Sequence, residues 1–205
     1  MTLGGEGGMI TTNNSSLFNF CRSFNNHGKD LKKYYSNQSL KSFPYIHDSI
    51  GSNYRLTEMQ SALGLHQLDL LPSWHKKRSA NAKIYMQSIQ GLEIIQKPVV
   101  PENYTHAWYK LYLTLQPGKI KKSFDRNKII KQLNNLNVPV GFGGSGEMYR
   151  EKAFSSLNQG LGSRLANGKF LEQNSLMLLV HPTIAIKESK RRAETLAKIL
   201  KNAHK

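Results

Sequence analysis

Three kinds of residue in this chain could do chemistry: a glycine-rich turn, scattered histidines, and short clusters of lysine and arginine. The turn, Gly4-Gly5-Glu6-Gly7-Gly8, must bend or let another group approach its backbone, since glycine alone takes positive φ freely. It is not a Walker loop, because no Gly-Lys-Ser/Thr follows, and not a dinucleotide fingerprint, because no strand precedes it. His27, His47, His66, His75, His106, His181 and His204 show no metal-ligand spacing with cysteine or carboxylate. No Ser/His/Asp grouping can be assigned either. The single cysteine, Cys21, excludes an intramolecular disulfide framework and suits a reducing compartment, with the cytoplasm the expected location. The clusters Lys76-Lys77-Arg78, Lys119 to Lys122 and Lys190 to Arg192 belong to a chain with 29 Lys+Arg against 13 Asp+Glu, a net charge of +16. Such an excess favours anionic partners: phosphorylated metabolites, nucleic acid or acidic surfaces. Dispersed as it is, it reads better as solvated helix faces and loops than as a nucleic-acid groove.

The elements that must position these residues follow from periodicity. Met9 to Thr12 has strand character. Asn13 to Ser16 offers N-caps for a helix whose Leu17, Phe20, Cys21 and Phe24 recur at helical spacing, stopped at His27-Gly28. Residues 29–52 carry no clear period and read as a long loop, of a length that is usually functional or mobile. Thr57-Glu58-Met59-Gln60 fits a capping box opening a helix with Met59, Ala62 and Leu63 on one face. Pro72 should break or kink it. A second helix is expected over about 73–89, with Ala82, Tyr85, Met86 and Ile89 on one stripe.

After Gly91 the character changes. Strands are expected at 92–96 and 108–115, where Tyr109, Leu111, Leu113 and Leu115 alternate with polar or aromatic neighbours. A helix over 124–137 should turn Ile129, Ile130, Leu133 and Leu136 inward. Strands at 138–142 and 176–180 follow, the latter stopped by His181-Pro182, and a last helix runs over about 187–202. Strands alternating with helices argue for a compact α/β or α+β unit over 91–205.

Several blocks, in order, resemble one family. Gly4 to Thr12 resembles the segment after the cofactor lysine in the DegT/DnrJ/StrS sugar aminotransferases. Asn26-His27-Gly28 follows, and then the stretch from Gly51-Ser52-Asn53-Tyr54-Arg55-Leu56-Thr57-Glu58 to Gly64, which looks like the family's most recognisable internal signature. Gly144 to Phe154 and Ser175 to Thr183 resemble blocks near its C-terminus.

That resemblance implies an α/β fold, the C-terminal part of a fold-type I pyridoxal-phosphate-dependent transferase. Residues 1–90 would be the tail of the cofactor-binding domain with its connecting helices, and 91–205 the small C-terminal α/β domain. It implies a transaminase moving an amino group from glutamate to a nucleotide-linked keto sugar, for polysaccharide or glycoconjugate synthesis, in a homodimer with no membrane part. Asn53 would reach across the dimer to the cofactor phosphate, Arg55 would bind the donor's carboxylate, and His181 would line the sugar-nucleotide pocket. Read as residues alone, Asn53 is a turn asparagine, Arg55 a surface ion-pair partner and His181 a strand-end histidine. The family's Schiff-base lysine lies just before the Gly-Glu-Gly-Gly turn, which here falls upstream of Met1. The expectation is therefore that the chain carries no catalytic lysine of that kind, does not hold the cofactor covalently, and is inactive alone unless an N-terminal half is supplied in trans. Two alternatives stay open: a family sugar dehydratase, which carries histidine at the lysine position, and a non-catalytic basic binding module.

Overall fold

The computed structural model describes residues 5–36, 46–154 and 164–205, so that Gly4 of the glycine turn and part of the long loop lie outside the described residues. Two compact units divide the chain, Met1–Leu71 and Pro72–Lys205.

In the first unit α1 (Ser15–Phe24) begins where Asn14 Oδ1 accepts from Leu17 N–H at 3.0 Å. It buries no residue. Met9 to Thr12, expected as a strand, is unpaired coil. The long loop contains a short helix, α2 (Leu31–Ser36), started by Asp30, whose Oδ1 accepts from Lys33 N–H at 2.9 Å. The capping box forms as the sequence predicts: Thr57 Oγ1 accepts from Gln60 N–H, and Gln60 Oε1 from Thr57 N–H, each at 3.3 Å.

The helix it opens, α3 (Glu58–Ser88), runs through Pro72 instead of stopping there. Proline removes one N–H and crowds the carbonyl four residues back. More than two turns on either side keep the rest of the ladder, so one helix stands where two are expected.

In the second unit a four-stranded antiparallel sheet has the order β1 (Ile95–Gln96), β2 (Leu111–Leu115), β4 (Ser175–Leu178), β3 (Val140–Phe142). Leu111 and Leu113 stand opposite Leu178 and Leu176, and Val140 opposite Leu178, so one face of the sheet is leucine and valine. The alternation expected from Tyr109 onward fails at its start. Trp108 takes φ +47 and is buried, whereas Tyr109 is exposed, and the strand begins only at Leu111. A left-handed residue reverses the pleat, and this one is held: its carbonyl and that of Tyr109 accept from Arg78 Nη1 at 3.2 and 2.9 Å.

The sheet's apolar face joins one core with Tyr85 and Ile89 of α3, Ile129 and Leu133 of α4 (Arg126–Asn135), and Leu196 and Leu200 of α6 (Ile186–Ala203). Asp125 caps α4, its Oδ1 accepting from Lys128 N–H at 2.7 Å. Leu136, expected inward, caps the other end of α4 and is exposed. A helix with no sequence signal, α5 (Ala166–Asn174), precedes β4.

Candidate functional site

Two antiparallel segments build the site in the first unit. The chain leaving α1 reverses at His27 (φ +62) and Gly28 (φ +76), then meets residues 46–54 coming back. His27 N–H donates to Ser52 O at 3.1 Å, Ser52 N–H to Phe24 O at 2.8 Å, and Tyr54 N–H to Asn25 O at 3.1 Å. Two glycines allow this approach. A Cβ on Gly28 would lie 1.7 Å from Ser49 O, and one on Gly51 would lie 2.3 Å from Gly28 N. Asn26 and Asn53 thereby become bridge partners.

Asn53 and Arg55 are brought together with Asn26. Arg55 Nη1 donates to Asn26 Oδ1, and Asn53 Oδ1 accepts from Arg55 N–H at 3.4 Å. Asn53 thus does what a turn asparagine does, and that bond turns its Nδ2 into the side that remains a donor. Arg55 pairs with an amide here, not with a carboxylate.

Arg55 also lines an open cleft of about 630 Å³. Arg22, Lys29 and Arg55 give it three cations, Asn25 and Asn26 give it amides, and no carboxylate is among its described lining residues. Tyr34 and Tyr35 complete it, edge to face at 5.2 Å, with Lys29 Nζ 5.2 Å from the centre of the Tyr34 ring and Arg22 Nη2 donating to Tyr35 Oη at 3.2 Å. A nearby acid, Asp48, is engaged by Lys33 at 2.6 Å, and this hydrogen bond raises the Lys33 ammonium above its ordinary pKa. Uncompensated cations beside aromatic faces suit an anion attached to a flat group. Sequence reasoning gave no role to Arg22, Lys29, Tyr34 or Tyr35; the one signal was Asn26, inside a family-like block.

His181 stands in the second unit, exposed, on a turn after β4, with its Nδ1 2.7 Å from Thr183 Oγ1.

Likeness to known proteins decides the family. A profile of the DegT/DnrJ/EryC1/StrS aminotransferase family matches residues 1–197. The chain belongs to that family. The X-ray structure of an aminotransferase from Psychrobacter cryohalolentis resembles it with a TM-score of 0.90 at 38% identity, covering 100% of this chain and 54% of that one. The GDP-perosamine synthase of Caulobacter vibrioides is 32% identical over 135 residues, 65% of this chain and 33% of that protein. The dTDP-4-dehydro-2,6-dideoxy-D-glucose 3-dehydratase of Saccharopolyspora spinosa is 22% identical over 195 residues, 88% of this chain and 42% of that protein. The chain spans about half the length of the solved aminotransferase and less than half of these two relatives. The mixed α/β fold is thus the C-terminal part of such a transferase.

The residues present fit the phosphate of pyridoxal phosphate, the family's cofactor. A phosphate oxygen needs an N–H donor with capacity left, and Asn53 Nδ2 is such a donor.

Proposed function

We propose that this chain forms the part of a sugar aminotransferase that completes the cofactor site of a partner subunit. The parent reaction moves an amino group from glutamate to a nucleotide-linked keto sugar, in the cytoplasm. The observation that carries this reading is the Asn26–Asn53 bridge with Arg55 at its edge, beside a cleft whose described lining holds cations and no carboxylate. Bound pyridoxal phosphate supplies the electron sink for amino-group transfer.

The residues of this chain bind and orient. Asn53 Nδ2 donates to the cofactor phosphate across the dimer. Arg55 holds the carboxylate of glutamate with its planar fork. Arg22 and Lys29 make the first unit's cleft attractive to an anionic group, and in the second unit His181 is the residue that hydrogen-bonds the sugar nucleotide. The division of labour follows: residues 1–90 complete the cofactor site, and 91–205 form the small domain.

The test joins this chain to an upstream half, fused or co-expressed, and assays a keto sugar nucleotide with glutamate. Asn53→Ala should weaken cofactor retention, since a hydrogen bond to a charged group contributes about 1.5–3 kcal/mol. Mixing that variant with one lacking the upstream lysine should restore activity to about a quarter, because half the dimers are mixed and each has one complete site. Mixed dimers as inactive as their parents would sink the cross-subunit role. The likeness to a 3-dehydratase supports a second reading, dehydration of a similar sugar nucleotide. A product that has lost a hydroxyl and gained no nitrogen would favour it.

A further inference from the structure

Asn81 is fully buried in the second unit, on α3, and its amide is almost completely used. Nδ2 donates to His181 O at 3.1 Å and to Ile184 O at 3.3 Å, while Oδ1 accepts from Ser189 Oγ at 2.9 Å. Ser189, on α6, is itself fully buried. The amide can point only this way, because the reverse would set Oδ1 against two carbonyl oxygens. An apolar side chain would fill the space but leave the Ile184 carbonyl without this donor and His181 O with one donor instead of two. Asn81 therefore clamps the His181–Ile184 turn, in which Ile184 N–H also donates to His181 O at 3.0 Å.

The turn in turn fixes the imidazole. Thr183 N–H donates to His181 Nδ1 at 3.4 Å, and Thr183 Oγ1 is 2.7 Å from the same nitrogen. A backbone N–H cannot accept, so Nδ1 is the acceptor, and the neutral ring carries its proton on Nε2. Nε2 has no partner among the described residues, and the side chain is exposed.

We propose that Asn81 is a positioning residue: by clamping the His181–Ile184 turn between α3 and α6, it holds neutral His181 as an outward Nε2–H donor for an oxygen of the ligand. Giving that oxygen to a sugar nucleotide rests on the function proposed above; the clamp and the tautomer do not.

The test needs no activity. Long-range proton–nitrogen correlation on the ¹⁵N-labelled 205-residue chain, at a pH where the imidazole is neutral, should find His181 Nδ1 bare and Nε2 protonated. Asn81→Ala should raise exchange of the Thr183 amide about tenfold and move the ring nitrogens of His181 toward free-histidine values. The His75 and His106 signals should stay in place. Should Asn81→Ala fail to fold, Ser189→Ala, which removes one hydroxyl, should produce the same changes in smaller measure. A protonated Nδ1 in the wild-type chain overturns the proposal. So does a folded Asn81→Ala or Ser189→Ala variant whose Thr183 exchange and His181 ring shifts match wild type. Failure of the mixed-dimer assay would leave these signals unchanged, so the two readings fail separately.

Discussion

Among the described hydrophobic residues of the first unit, Ile46 is buried, while Leu17, Phe20, Met59 and Leu65 are exposed. In the second unit Leu111, Leu113, Leu133, Leu176, Leu178, Leu196 and Leu200 are all within 1% of full burial. The first unit is therefore held by what the backbone pairs with, through the 24–30 and 46–54 segments and their glycines. The second is held by apolar area removed from water, the larger driving force in folding. A region that leaves its apolar side chains uncovered while fixing its backbone closely presents a surface shaped for something else. The proposed role, completing a partner's site, would need such a surface.

The comparison is sharpest at core leucines. Leu133→Ala, at a position with 0% exposure, should destabilise the second unit by about 2–5 kcal/mol through lost transfer energy and the cavity left behind. Leu65→Ala, on a residue 67% exposed, should change stability by no more than about 0.5 kcal/mol in the isolated chain. Urea titration followed by circular dichroism measures both. Equal losses would mean that the exposed face of α3 is covered in solution.

Next in size is a backbone effect in the first unit. Gly28→Ala forces a side chain into a left-handed conformation, which alone costs about 1–2 kcal/mol, and drives its Cβ onto the Ser49 carbonyl. Amide exchange over 46–54 should accelerate by tenfold or more, while the core amides of β2 and β4 keep their protection. Uniform acceleration in both units would break the comparison, because it would make them one cooperative body.

What the sequence discloses follows the same division. The core of the second unit was legible because burial writes a period: Ala82, Tyr85 and Ile89 at helical spacing, Leu111, Leu113 and Leu115 at alternation. Cap chemistry was legible too, since Thr57 and Gln60 need only each other. Helix α5 buries no residue and has no side-chain cap, so it left no pattern to read. The left-handed Trp108 depends on Arg78, thirty positions away, and nothing local announces it. At the site, Asn53 and Arg55 were reachable only through family likeness; their pairing with Asn26 comes from a return of the chain that no periodicity encodes.

The smallest expected effect separates the units by pH. In the second unit Glu188 is held at about 2 by hydrogen bonds from Arg191 and then Arg192. Arg191 also donates to Leu136 O and Asn137 O at 3.2 and 2.8 Å, tying α6 to the end of α4. A carboxyl whose folded pKa lies below its ordinary 4.5 stabilises the fold fully above that value. That contribution is lost as pH falls from 4.5 toward 2. In the first unit the sign is opposite. Lys33, raised above 10.5 by Asp48, stabilises below 10.5 and loses that contribution as pH climbs through its folded value. Glu188→Gln should therefore flatten the acid decline of the second unit, read by urea midpoint, and leave its alkaline side unchanged. Lys33→Met should flatten the alkaline loss of amide protection in 30–36 and 46–48 and do nothing in acid. Both Lys33 and Asp48 are about half exposed, so molar salt should erase most of the Lys33 effect, because exposed pairs are weak and screened. The Glu188 effect should survive salt better, since Arg192 is only 17% exposed and its bond to the carboxylate is shielded on one side. Equal salt sensitivity of the two would mean that the second unit's ion pairs, unlike its leucines, lie as open to solvent as those of the first.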